Sequence, residues 1–334
     1  MSVLVEAPGL LTTIQDLGRH GYQHLGVGPG GALDEASHRF ANLLTGSSPE
    51  MPSLEITLAG PILRFETDSL FALCGGDLSP RIEERPVPLW RPVMVRAGSR
   101  LSFGRPVHGA RCYLAVGGGF RIPKVMGSAS TNLAAGFGGF QGRRLRAGDR
   151  LETGPFPKDL CPSLQEKFGR EGAAFVGAGW FAPWIGELDF VRPSTLRVIQ
   201  GPQWELLTAH SRAAFLGGTF QVAPNSDRMG LRLLGSRIAL EKPLEMISSG
   251  VAAGTIQVPP DGSPILLMAD RQTIGGYPRI GELATVDIPK AAQLCPGESL
   301  QFKPVTIEEA EGLYLRREAC RREFEKVLAA RLLQ

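Results

Sequence analysis

The chain has 334 residues, 36 basic and 33 acidic side chains for a formal net charge of +3, and a hydrophobic fraction of 43%. That composition suits a soluble globular protein with two cores, and the near-balanced charge gives no electrostatic footprint for nucleic acid or an anionic membrane surface. The cysteines Cys74, Cys112, Cys161, Cys295 and Cys320 are scattered without a CxxC pair, so their spacing predicts neither a zinc site nor a disulfide framework.

The first residues, Met1-Ser2-Val3-Leu4-Val5-Glu6-Ala7-Pro8, lack a basic region and a long apolar run, so no signal peptide is expected. No apolar stretch is long enough to span a bilayer, and a cytoplasmic location is the expectation. The segment Gln15-Asp16-Leu17-Gly18-Arg19 sets an amide, a carboxylate and a guanidinium close together. Arg19 can pair with Asp16, or it can hold a substrate carboxylate through two parallel hydrogen bonds. Asp34 predicts the cap of a helix over 35–44, and Gly46 its end.

Short apolar runs follow, among them Leu54-Glu55-Ile56-Thr57, Leu70-Phe71-Ala72-Leu73-Cys74 and Arg111-Cys112-Tyr113-Leu114-Ala115-Val116. Later examples are Thr195-Leu196-Arg197-Val198-Ile199 and Ile265-Leu266-Leu267-Met268. Punctuated by 42 glycines and 26 prolines, they predict a mainly β chain with a few helices, its sheets closed or sandwiched. The turn 136–142 is glycine-rich but fits no nucleotide-loop pattern and precedes a strand, so it lacks a helix N-terminus for phosphate.

One turn recurs: Ala97-Gly98-Ser99-Arg100-Leu101, Ala147-Gly148-Asp149-Arg150-Leu151 and Pro296-Gly297-Glu298-Ser299-Leu300. It suggests two related β lobes. The organisation expected is an N-terminal lobe over 1–153, a polar, proline-rich connector over 154–194, a C-terminal barrel lobe over 195–305, and a helix over 306–334. A second helix is predicted over 205–215. The last opens on the Thr306/Glu309 capping box.

Three polar and glycine-bearing segments crowd the C-terminal half: 225–230, 245–259 and 270–278. Each is either a tight turn between strands or a loop that brings hydrogen-bonding groups to a ligand. As a ligand site they supply Arg228, Ser248, Gln257 and Tyr277 for binding, with Gln15, Asp16 and Arg19 from the N-terminal segment. Glu245, Asp270 and Gln272 are then the candidates for handling protons and developing charge. No metal-ligand spacing is present among the histidines.

Segments 12–23, 26–42, 54–57 with 60–61, 126–131, 138–143, 226–230 and 248–278 together resemble the allophanate hydrolase subunit 2 family, also described as biotin-dependent carboxyltransferase-like. The resemblance covers nearly the whole chain. It implies cyclophilin-like β-barrel lobes and work beside partner proteins: a smaller cyclophilin-like B-type subunit and a TIM-barrel-like A-type subunit. It implies hydrolysis of a cyclic amide, the ATP-dependent opening of 5-oxo-L-proline to L-glutamate, with ATP (and Mg²⁺ if ATP requires it) bound by the complex. The chain has no biotin-carrier Met-Lys-Met, so biotin is not expected on it. Two other readings accompany the family: a regulator that sequesters a partner subunit, and the carboxyltransferase component of a biotin-dependent urea carboxylase-like system.

Overall fold

A computed structural model describes residues 1–156, 159–182 and 190–334. The chain divides into two compact units. Unit 1 comprises Met1–Arg19, Asp34–Leu188 and Arg321–Gln334; unit 2 comprises His20–Leu33 and Asp189–Cys320.

Unit 1 contains strands β1 (Ser2–Ala7) and β2 (Leu11–Gln15), helix α1 (Glu35–Leu44), and strands β3 (Ser53–Thr57), β4 (Ile62–Phe65), β5 (Ser69–Asp77), β6 (Arg81–Ile82), β7 (Arg85–Pro86), β8 (Val93–Val95), β9 (Arg100–Ser102), β10 (His108–Val116) and β11 (Arg150–Glu152). Helix α2 (Pro162–Glu171) and strand β12 (Phe175–Gly177) follow. The strands form two six-stranded sheets, β11-β1-β4-β9-β6-β7 and β12-β8-β5-β10-β3-β2. Val3, Val5, Leu63, Phe65, Leu101 and Leu151 from the first share one core with Ile14, Leu54, Ile56, Phe71, Leu73, Cys112 and Leu114 from the second.

The long apolar runs of β5 and β10 are buried on both faces because α1 lies across the other side of their sheet. Asp34 caps α1 as expected, accepting from the Ser37 N–H at 3.0 Å and from the Ser37 hydroxyl at 2.6 Å. Gly46, at φ +69°, takes the left-handed turn past the helix end that only glycine adopts cheaply.

Unit 2 contains β13 (Ser194–Gln200), α3 (Ala209–Gly217), β14 (Phe220–Val222), β15 (Gly230–Leu234), β16 (Ser249–Gly250), β17 (Thr255–Gln257), β18 (Ile265–Leu267), β19 (Ile274–Gly275), β20 (Arg279–Leu283), α4 (Ile288–Ala292) and β21 (Ser299–Pro304). Seven of its strands close a barrel in the order β13-β20-β17-β18-β15-β14-β21, completed by the parallel pairing of β13 with β21. Leu196, Val198, Ile256, Leu266, Ile280, Leu300 and Phe302 fill it, and Phe215 of α3 stacks on Phe302 at 4.5 Å between ring centroids. Helix α5 (Ile307–Leu332) ends the chain, and its first turn carries the capping box in full. The Thr306 N–H donates to Glu309 at 2.9 Å, and the Glu309 N–H donates to the Thr306 hydroxyl at 3.2 Å.

The mainly β class and the closed barrel agree with the expectation. The barrel belongs to unit 2; unit 1 is instead a pair of packed sheets. The expected connector over 154–194 differs from the structure: it holds α2 and β12, whose Phe168, Phe175 and Val176 are buried, and β12 pairs with β8 as a sheet edge. Residues 157–158 and 183–189 of that stretch lie outside the described residues. The helix expected over 205–215 breaks into a 3-10 turn, Trp204–Leu206, and α3, because Thr208 starts a new helix by capping the Ser211 N–H at 3.0 Å.

The recurring turn is real as local structure. Gly98, Gly148 and Gly297 sit at φ +87°, +89° and +87°, and each delivers a fully buried leucine three residues on. Its pairings differ, however. Strand β9 is antiparallel to both neighbours, whereas β21 is parallel to β13, so the shared feature is turn chemistry rather than equivalent lobes.

Candidate functional site

The N-terminal candidates all lie in unit 1, where the end of β2 meets residues 128–131. Asp16 accepts four hydrogen bonds: from the Gly18 N–H at 2.8 Å, the Ser128 hydroxyl at 2.6 Å, the Ala129 N–H at 2.6 Å and the Ser130 hydroxyl at 2.5 Å. Burial alone would raise its pKa. The bonds from Ser128, Ser130, Ala129 and Gly18 outweigh burial and hold the carboxyl below the usual carboxylate range. Arg19, 1% exposed, donates to the Ser130 carbonyl and lies over the Phe137 ring at 4.8 Å. Gln15, fully buried, donates to the Thr13 hydroxyl at 3.1 Å and the Thr131 carbonyl at 3.4 Å.

In the structure these three residues fasten β2 to 128–131. The glycine-rich turn 136–142 lines a cavity of about 500 Å³ together with Arg121, Ile122, Pro123, Val125, Arg150 and Glu152. The turn leads on to β11 and not to a helix.

The remaining candidates lie in unit 2, in two different settings. Arg228 and Asp270 form a bidentate ion pair, with Nε–Oδ2 at 2.8 Å and Nη2–Oδ1 at 2.9 Å, and Arg228 Nη2 also donates to the Gly31 carbonyl at 2.7 Å. With side chains 5% and 16% exposed, the pair clamps the 20–33 segment to the barrel. Segment 225–230 is a turn closed by Asp227, whose carboxylate accepts from the N–H groups of Met229 at 2.8 Å and Gly230 at 3.2 Å. Glu245 is exposed and makes no bond among the described residues.

Gln257, Gln272, Ser248 and Tyr277 do come together. Strand register fixes where: β17 sets Thr255 opposite Glu282 and Gln257 opposite Arg279 on β20, while Ile256 between them fills the barrel core. Thr255 and Gln257 therefore face outward. The two-stranded ribbon of β16 and β19 lies against this outer wall. Gln272 Nε2 donates to Gln257 Oε1 at 3.3 Å, and Gln257 Nε2 donates to the Tyr277 carbonyl at 3.4 Å. A Cβ on Gly275 would stand 2.5 Å from Gln257 Nε2, too close without a shift of that amide, and one on Gly276 would stand 3.3 Å from the Ser248 hydroxyl.

Sequence reasoning missed the charged members of this strip. Glu282 is half-buried, and the Thr255 hydroxyl reaches its two carboxylate oxygens at 3.0 and 2.9 Å. Burial pushes the Glu282 carboxyl up, against the Thr255 hydrogen bond and the positive fields of Arg279 and Arg271. Burial draws the neighbouring Arg271 guanidinium down, against the fields of Glu282 and Asp270. Perturbed groups of opposite sign beside paired amides mark the strip as a candidate binding site. The signal was present in the sequence: Glu282 stands between apolar neighbours in the short run Ile280-Gly281-Glu282-Leu283. Its meaning depends on which strand it faces.

Residues 25–304 match the carboxyltransferase domain family, subdomains A and B. Over 302 residues the chain is 38% identical to the C-type subunit of 5-oxoprolinase from Escherichia coli (strain K12), an alignment that covers 90% of this chain and 91% of that one. It is 34% identical over 301 residues to the C-type subunit of 5-oxoprolinase from Haemophilus influenzae, covering 90% of each. Among solved structures, the K. lactis urea amidolyase superposes with a TM-score of 0.84 at 29% identity, covering 97% of this chain and 20% of that one. The likeness to urea amidolyase is therefore to one part of a much longer protein. With most of its length matched, the chain belongs to the carboxyltransferase domain family, subdomains A and B.

Proposed function

We propose that this chain is the C-type subunit of an ATP-dependent 5-oxoprolinase, which opens 5-oxo-L-proline to L-glutamate together with a smaller cyclophilin-like B-type subunit and a TIM-barrel-like A-type subunit. The observation that carries the reading is the 38% identity to the C-type subunit of the Escherichia coli 5-oxoprolinase over 91% of that protein's length. The chemistry is consistent with a polar strip of amides and charges. A lactam resists hydrolysis because of amide resonance, and its opening needs donors at the carbonyl oxygen and a group to manage the ring nitrogen's proton. Gln257 and Gln272 offer amide N–H and C=O groups for a substrate that is itself an amide.

The glycine-rich turn 136–142 does not have the form of a helix-based phosphate loop. No group of three or more His, Cys, Asp or Glu side chains suited to a metal ion occurs among the described residues. ATP and Mg²⁺ are accordingly assigned to the assembly, and no step is derived through them. The catalytic roles drawn from the sequence change with the geometry. Gln272 stays in the strip, Asp270 serves the Arg228 clamp, and Glu245 becomes a group that a partner has to engage if it is to act.

The test is reconstitution. The chain alone should release no glutamate, and the three-component mixture should couple 5-oxoproline consumption to ADP and glutamate formation. Turnover that persists when this chain is omitted refutes the proposal. The superposition on urea amidolyase favours a second reading, carboxyl transfer from a biotin carrier. Under that reading the same mixture is inert toward 5-oxoproline and accepts carboxyl groups from carboxybiotin instead.

A further inference from the structure

Unit 2 contains two arginine–carboxylate arrangements side by side, and the fold treats them differently. Arg228 and Asp270 close a bidentate pair. Arg271, the next residue, and Glu282 feel each other's field yet form no ion pair among the described residues. Both are half-buried, so each carries a desolvation cost that a salt bridge would offset.

Each is held by other groups. Arg271 donates from Nε to the Val251 carbonyl at 3.3 Å and from Nη1 to the Met268 carbonyl at 3.2 Å. A guanidinium has five N–H groups, so donors remain uncommitted. Among the described residues Glu282 has only the Thr255 hydroxyl, and a carboxylate can accept about four hydrogen bonds. Nearby, Ser249 Oγ and Arg279 Nε are buried without a partner among the described residues. Buried polar groups left open beside one another are what a site for a small polar molecule leaves when that molecule is absent.

We propose that Arg271 and Glu282 are the recognition pair for a small cyclic amide acid on the outer wall of the barrel: Arg271 takes the carboxylate, and Glu282 accepts a hydrogen bond from the ring N–H. The assignment rests on the 5-oxoprolinase reading and names its binding groups. In 5-oxoproline the carboxylate and the N–H are borne on adjacent atoms, so one molecule can meet a cation and an anion that are kept from meeting each other. Gln257 and Gln272 then face the lactam carbonyl end, Gln272 holds the Gln257 amide, and Gly275 leaves room for it.

The test uses the reconstituted complex with Arg271→Gln, Arg271→Lys and Glu282→Gln, and two ligands: 5-oxoproline and 2-pyrrolidinone, the same ring without its carboxylate. Arg271→Gln should raise KM for 5-oxoproline about 10- to 100-fold and remove the preference over 2-pyrrolidinone as a competing ligand. Arg271→Lys should fall between wild type and Arg271→Gln, because it keeps the charge and loses the two-pronged contact. Glu282→Gln should weaken binding of both ligands alike, since both carry the N–H. Folded variants, judged by unchanged melting curves, that bind both ligands as wild type does overturn the assignment. A wild-type complex with no 5-oxoproline turnover fails at an earlier point: it refutes the 5-oxoprolinase reading, and the substrate named here with it.

Discussion

Arg228→Met is the most discriminating perturbation of unit 2, because Arg228 reads equally as a ligand group and as a clamp until its partners are known. The structure gives it two bonds to Asp270, at 2.8 and 2.9 Å, and one to the Gly31 carbonyl at 2.7 Å. Both side chains are mostly buried, at 5% and 16% exposed. Removing the guanidinium leaves a carboxylate and a carbonyl in a poorly solvated place, and stranding one member of a buried pair costs about 3–5 kcal/mol. Against a total stability of roughly 5–15 kcal/mol that is a large fraction. Asp270→Asn should cost somewhat less, since Asn keeps one acceptor for the guanidinium. The double variant Arg228→Met/Asp270→Asn should cost less than the sum, with a coupling of about 2 kcal/mol or more. Urea unfolding followed by the fluorescence of Trp204, which lies in the barrel core, reports on this unit. If Arg228→Met shifts stability by less than about 1 kcal/mol while raising KM for substrate, the clamp assignment is wrong and Arg228 belongs to the binding site.

Asp16→Asn should destabilise unit 1 by about 2–4 kcal/mol near neutral pH, because it turns an acceptor of four buried donors into a mixed group. The Asp16 carboxyl is held below its ordinary value, so its contribution is present above the unfolded value near ~3.9 and is lost as pH falls through the lower folded value. The gap between wild type and variant should close on acidification; a gap that is constant with pH would show that charge is not the source. Gly275→Ala brings a methyl to 2.5 Å from Gln257 Nε2 and should cut 5-oxoproline turnover at least tenfold, whereas full activity would remove Gln257 from the site. Thr306→Ala should cost about 1 kcal/mol in thermal or urea unfolding by opening the capping box, and a silent substitution would mean that the first turn of α5 is frayed.

What was legible in the sequence was what local chemistry decides alone. Asp34, Thr306 with Glu309, and Gly46 each specify a helix boundary through bonds to their own neighbours, and all three are found as read. The shortness of the apolar runs and their glycine and proline punctuation likewise pointed to the mainly β class. Helix α2 was missed because its surroundings are polar and proline-rich. Yet Pro162 sits at its first turn, where a missing N–H costs nothing, and that was a readable start signal. Strand β12 has three residues and exists through its pairing with β8, which no local pattern reveals.

The site divides along the same line. Composition alone singled out Gln257, Gln272, Ser248 and Tyr277, which the fold brings together, since glycine pairs and amides stand out. It could not separate Arg228 from Arg271, because both are arginines in polar loops beside a carboxylate. The difference between them is made by register and burial. Asp270 reaches Arg228 with both oxygens, whereas Glu282, set opposite Thr255 on the next strand, is given a hydroxyl in place of a cation. A fold that elsewhere neutralises a buried carboxylate leaves this one half-satisfied beside a guanidinium with donors to spare. The two side chains lie close enough to feel each other's field, yet no ion pair joins them among the described residues. That both are tied back by other partners, to the Val251 and Met268 carbonyls and to the Thr255 hydroxyl, is the reason to assign the gap to a substrate rather than to chance.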